Sequence, residues 1–190
     1  MELTSRLSLE AIQREAIKIL YANLNDKISE METTWQSEDY DLLTGLDRES
    51  IEWTVEEISA ENFYPGIVTS LINAPLDKYP NCSAICYTAS PTFSSDDTAD
   101  GYFCRLNIEI MVKSEKDEVE VNTRMHKTLD CAHLVLLENR DLNNLVSHIT
   151  GPKVSIGDVF VRTEGRGQGP RWFWQGGVLE YDVYKYVNFV

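Results

Sequence analysis

Basic residues are scarce in this chain. Seventeen lysines and arginines stand against 31 aspartates and glutamates, and the 190 residues carry a formal net charge of −14. Binding a phosphate backbone needs a basic footprint, so this balance argues against general nucleic-acid binding and against anionic membrane surfaces. Long apolar runs are missing too. None approaches the roughly 18 residues of a membrane span, and the opening MELTSRLSLEAIQREA lacks the basic start and apolar stretch of a secretion signal. Synthesis and retention in a cytoplasm are expected. There are only four cysteines, Cys82, Cys86, Cys104 and Cys131, and without a secretion signal they read as reduced core thiols. The C-x3-C spacing of Cys82 and Cys86 has no second pair to complete a zinc site.

Catalytic signatures are lacking as well: the chain holds no GxSxG, no HExxH and no Walker lysine. His126 and His133 stand seven apart, on one face of a helix, but no further ligands follow at matching spacing. Carboxylates are so plentiful that one sequence does not show which of them converge into an acid and base pair. A non-enzymatic protein without metal or cofactor is expected, and a small carboxylate-dependent hydrolase is the alternative.

What the chain does have is an ordinary globular composition, 43% apolar and 25% charged, at a length that suits one domain or one domain with an appendage. From Ser8, the residues Ile12, Ala16, Ile19, Leu20, Leu24, Ile28, Met31 and Trp35 recur at spacings of three and four. They predict a long amphipathic helix. A stripe of this length is packed either wholly on its own domain or partly against another subunit. Between Glu30 and Glu61 eleven acidic side chains face one cation, Arg48. This segment reads as a solvated connection, or as an electrostatic latch for a basic partner.

The strand signal is strongest in YFCRLNIEIMVK, where Cys104, Leu106, Ile108, Ile110 and Val112 alternate with Arg105, Asn107, Glu109 and Lys113. One face is buried and the other is wet or paired. Ser114 then heads SEKD as a capping-box-like helix start, followed by a second apolar stripe from Val121 to Leu136 that fades at ENRDLNN. The remainder, KVSIGDVFVRTE and GGVLEYDVYKYVNFV, reads as two strands of a long hairpin.

Their connection, EGRGQGPRWFWQGG, puts five glycines, two arginines and two tryptophans into fourteen positions. Alternation of Gly165, Gly167 and Gly169 with Arg166, Gln168 and Pro170 is not a phosphate-binding loop, which needs GxxxxGK[ST] between a strand and a helix. It makes a hairpin tip instead. Arg and Trp are enriched at the centres of protein contacts, so Arg166, Gln168, Arg171, Trp172 and Trp174 are the candidate partner-binding residues. The bland alternative is a surface hairpin whose tryptophans fold back on their own sheet.

From about Phe63 to the end, the order of the stretches CRLNIEIMVKSE, DEVEVNTRMHKTLDCAHLVLL, ENRDLNNLV and GGVLEYDVYKYV resembles that of phage tail-terminator or tail-completion proteins, the neck components of tailed phages. The resemblance implies an α+β fold: a mainly antiparallel sheet with helices packed on one face, forming a core domain over residues 63–190. Residues 1–62, the long N-terminal helix and acidic connection, lie outside that core. It also implies a homo-oligomeric ring, typically a hexamer, that ends the tail tube and receives the head-connector proteins. Such a protein is structural, needs no cofactor, and resides in the virion after assembly in the host cytoplasm. A non-viral adaptor that binds a protein partner through the same hairpin is the rival reading.

Overall fold

A computed structural model describes residues 9–35, 58–65, 82–96, 99–163 and 171–187. In chain order these form helix α1 (Leu9–Trp35), a short 3-10 turn (Ala60–Asn62), strands β1 (Phe63–Pro65), β2 (Cys82–Asp96) and β3 (Ala99–Ser114), helix α2 (Glu118–Glu138), and strands β4 (His148–Ile156), β5 (Phe160–Thr163) and β6 (Arg171–Val187). The strands make one six-stranded sheet in the order β1-β2-β3-β6-β4, with β5 pairing β6 beyond the end of β4. Every pairing is antiparallel except that of β1 with β2. The fold is thus α+β, with a mainly antiparallel sheet and both helices on one face.

Period-two alternation explains that one-sidedness. Cys104, Leu106, Ile108, Ile110 and Val112 of β3 and Leu179, Tyr181 and Val183 of β6 are all buried, and they share a cluster with the apolar stripes of α1 and α2. Ile12, Ala16, Ile19, Leu20, Leu24 and Ile28 of α1 are buried in that same cluster. Of the two placements open to the first helix, the structure shows the self-contained one: its stripe packs inside its own chain over these turns, against α2, β1 and β2.

Polar links fasten the helices to each other and to the chain that follows. The Lys127 ammonium on α2 reaches Glu32 of α1 at 3.3 Å in a nearly buried pair, and burial pulls the lysine below its ordinary pKa. Lys27 bridges to Glu138 at 2.9 Å. Asn25 brackets Ile58 from both sides, donating to its carbonyl at 3.0 Å and accepting from its N–H at 2.9 Å. The end of the acidic connection is therefore anchored to the middle of α1.

Helix α2 starts three residues later than its sequence signature suggests. Ser114 is the last residue of β3, and its hydroxyl donates to the Glu120 carboxylate and accepts from the Lys116 N–H at 3.1 Å. Asp117 is the true N-cap and accepts from the Glu120 N–H at 2.8 Å. An aspartate carboxylate caps as well as a serine hydroxyl and adds a charge favourable to the helix dipole, which accounts for the shift. The helix ends in a turn where Leu142, Asn143 and Asn144 have φ of 47°, 57° and 66°. Asparagine tolerates that left-handed backbone; Leu142 is held there by a side chain that is fully buried.

Close approach of α2 to the sheet depends on Gly177. A Cβ at this position would lie 2.6 Å from Leu129 Cδ1 and 2.8 Å from Met125 Sδ. Gly177→Ala is therefore expected to lower stability by about 1–3 kcal/mol through overpacking, and Gly177→Leu to cost more. Urea unfolding of both variants checks this, and an alanine variant as stable as the parent would contradict it.

Candidate assembly surface

Because side chains alternate along β6, Arg171, Phe173, Gln175 and Gly177 point toward the helix side while Trp172, Trp174, Gly176 and Val178 point to the opposite face. The burial pattern follows: Phe173 and Gln175 are buried, and the two tryptophans are partly exposed. Among the described residues, no helix or strand lies over that opposite face.

The antiparallel register sets Lys113 of β3 directly across from Trp174. Its ammonium lies 4.2 Å from the Trp172 ring centroid and 5.9 Å from that of Trp174, and the residue is only 3% exposed. A cation held between two indole faces is attracted by their π-electron density, which offsets part of the loss of hydration. The Trp172 indole N–H is buried and has no acceptor among the described residues. On the helix side, Arg171 is exposed and its guanidinium carbon stands 4.9 Å from the Phe173 ring centroid.

Three of the five predicted contact residues, Arg171, Trp172 and Trp174, thus sit at the start of β6, with the tryptophans on one face and the arginine on the other. Arg166 and Gln168 lie outside the described residues. Two neighbours were not singled out from the sequence. Lys113 reads as one more wet-face position of β3 until the register pairs it with Trp174, and Phe160 is one residue of a strand-like stretch. Phe160 pairs Trp174 from the other side, in β5, and is 65% exposed. Val161 and Val154 are also exposed, at 39% and 53%. These three make an apolar margin along the sheet edge. Gln175 stabilises that margin from beneath, because its side-chain amide donates both to Asn122 of α2 at 3.1 Å and to the Gly157 carbonyl, between β4 and β5, at 3.0 Å.

Away from the tryptophans the open face becomes polar. Arg105 approaches Glu180 and Asp182, each at 3.8 Å, while Tyr184 stacks on His148 with centroids 4.9 Å apart and meets Phe103 at 5.2 Å. Between these ends Glu109 lies opposite Ile85 of β2 and Val178 of β6, and burial raises its carboxyl pKa. Burial likewise raises the Tyr87 phenol, helped by the charges of Glu109 and Glu180.

The described thiols are built into the core. Cys104 and Cys131 are buried free thiols, with burial pushing them up to about 11 and about 12, and such thiols are poor nucleophiles at neutral pH. His133 meets the Tyr181 hydroxyl through Nδ1 at 3.0 Å, while His126 is exposed. Among the described residues, no group of three His, Cys, Asp or Glu side chains is placed to hold a metal, and no helix is long and apolar enough to cross a membrane. No protein-family model matches the chain, and a search of curated proteins finds no match.

The raised carboxyl of Glu109 has a consequence for stability. A folded-state pKa above the unfolded value, ordinarily 4.5, means that the native state holds this proton more tightly. Its contribution to stability therefore falls as pH rises from 4.5 through the raised pKa and stays low at neutral pH. Glu109→Gln should raise the thermal midpoint by a few degrees at pH 7, with the gain shrinking toward pH 4. Equal midpoints for the two proteins at pH 7 would count against this.

Proposed function

We propose that this chain is a structural protein of the phage neck: a tail-terminator-like subunit that forms a homo-oligomeric ring, ends the tail tube and joins it to the head connector. The observation that carries this reading is the one-sided sheet. Both helices and the whole apolar core occupy one face, while the other face bears half-buried tryptophans and borders an apolar edge that no described element covers. Surface of this kind is shielded by assembly, and tryptophan is among the commonest energetic anchors of protein contacts.

One further feature supports it. The stretches that resemble tail-terminator proteins correspond to β3, α2, the left-handed turn and β6, elements of an α+β fold of the kind the resemblance implies. On this reading the protein resides in the virion, its partners are copies of itself and the adjoining tube and connector proteins, and its work is mechanical rather than catalytic.

Native mass measurement and particle imaging test the reading. The expected result is a mass several times 21.7 kDa with a central hole. Deleting residues 165–170, or replacing Arg166 and Arg171 together by Glu, should shift the population toward single subunits and raise the sensitivity of the ring to salt. A species of 21.7 kDa that binds a protein partner through the same hairpin would instead favour the adaptor reading.

A further inference from the structure

We infer that neighbouring copies join head to tail through their sheets, the outer edge of β2 in one copy adding to the outer edge of β4 and β5 in the next. This rests on the ring reading above and names the surfaces that would close it.

Among the described residues, both edges lack a strand partner along most of their length. β1 covers β2 only at Ala84, Ile85 and Cys86, so from Tyr87 to Asp96 the outer side of β2 has no strand partner among the described residues. On the far side of the sheet, the beginning of β4 is covered by the turn after α2, where the Ile149 N–H donates to the Arg140 carbonyl at 2.8 Å. That cover ends at the irregularity between Thr150 and Lys153, and the stretch from Lys153 to Thr163 has no outer strand partner among the described residues. An exposed strand edge with unpaired N–H and C=O groups is a template for another strand. Soluble monomers usually blunt such edges with charge, yet this one carries the exposed apolar side chains Val154, Phe160 and Val161.

Charge and position select the partner. Residues 153–171 contain Lys153, Arg162, Arg166 and Arg171 against Asp158 and Glu164, a local excess of cations in a chain of net −14. The sequence from Ser94 to Asp100, where β2 ends and β3 begins, contains Asp96, Asp97 and Asp100 and no cation. Pairing the β4–β5 edge with its own copy about a two-fold axis would set Lys153 of one copy near Arg162 of the other, cation against cation. Pairing one edge with the other brings opposite charges together.

The two edges also cannot meet within one chain. They flank opposite sides of the sheet, and Asp100 lies across from Val187 at one end of β6 while Thr163 lies across from Arg171 at the other end, roughly 50 Å away along the strand direction. A subunit with one surface of each kind, facing different ways, makes heterologous contacts, the type that builds a ring when the rotation between copies closes. The occupant of the β4–β5 edge is therefore a second copy of this chain.

The test uses the full chain and two kinds of variant, read by native mass across a range of concentrations. The Gly157 N–H donates inward to Gly176 at 2.9 Å, so alternation points the Val154 N–H outward, away from β6. Val154→Pro removes this outward donor without breaking a hydrogen bond inside the chain. With circular dichroism and the thermal midpoint of the single subunit unchanged, it should raise the concentration needed for ring formation at least tenfold. The second arm compares Lys153→Glu with Arg171→Glu in one protein and Asp96→Lys with Asp100→Lys in another. Each alone should fail to form rings at concentrations where the parent assembles, and an equimolar mixture should assemble again, because alternating copies restore opposite charge at every contact.

Parent-like assembly by a folded Val154→Pro protein, or a mixture that does not recover, overturns the edge-to-edge contact while leaving the ring itself standing. A parent protein that stays at 21.7 kDa at every concentration overturns both the contact and the ring.

Discussion

The ladder between β3 and β6 is the constraint on which everything else in this molecule depends. It runs without interruption from Asp100 paired with Val187 to Ser114 paired with Phe173. One parity of each strand feeds the core and the other parity forms the open face, so a single register decides which residues the helices cover and which they leave bare. The helices answer to it: α2 settles where the ladder presents glycine, and α1 is held to α2 by Lys127 with Glu32 and by Lys27 with Glu138. The tryptophans are on the open face because they have even numbers in a strand whose odd numbers are buried.

Much of this was legible in the residues because periodicity is a direct record of burial. The alternation in YFCRLNIEIMVK and the three-and-four spacing from Ile12 to Ile28 each correspond to an observed element and to its buried face. The second helix was visible too, although its start was not, because Ser114 and Asp117 are both good caps and the ladder claims the serine for β3. Whether α1 faced its own domain or a neighbour could not be read from its stripe. An apolar stripe states that a cover exists, and only the packing shows what the cover is.

The site was legible in composition but not in arrangement. Trp172 and Trp174 stand out by their size in a glycine-rich setting, whereas Lys113 has no local signal, being one of several polar residues on its strand. Its role emerges only when a strand sixty residues later is laid beside it. Phe160 is bare for a related reason: β5 pairs β6 where the helices no longer reach. Cross-strand neighbours and the extent of a covering layer are both non-local, and no window of residues contains them.

Gly177 and its neighbour Gly176 have a further implication for how faithfully the long strands align. Sliding β6 by two positions would force Gln175 or Leu179 into the space now left for Met125 and Leu129. Sliding it by one could offer Gly176 to the helix, but the change of parity would turn Leu179, Tyr181 and Val183 out to water and both indoles inward. The paired glycines thus act as an index mark that admits one alignment, so every copy made from this sequence presents borders of identical length and offset to whatever it meets.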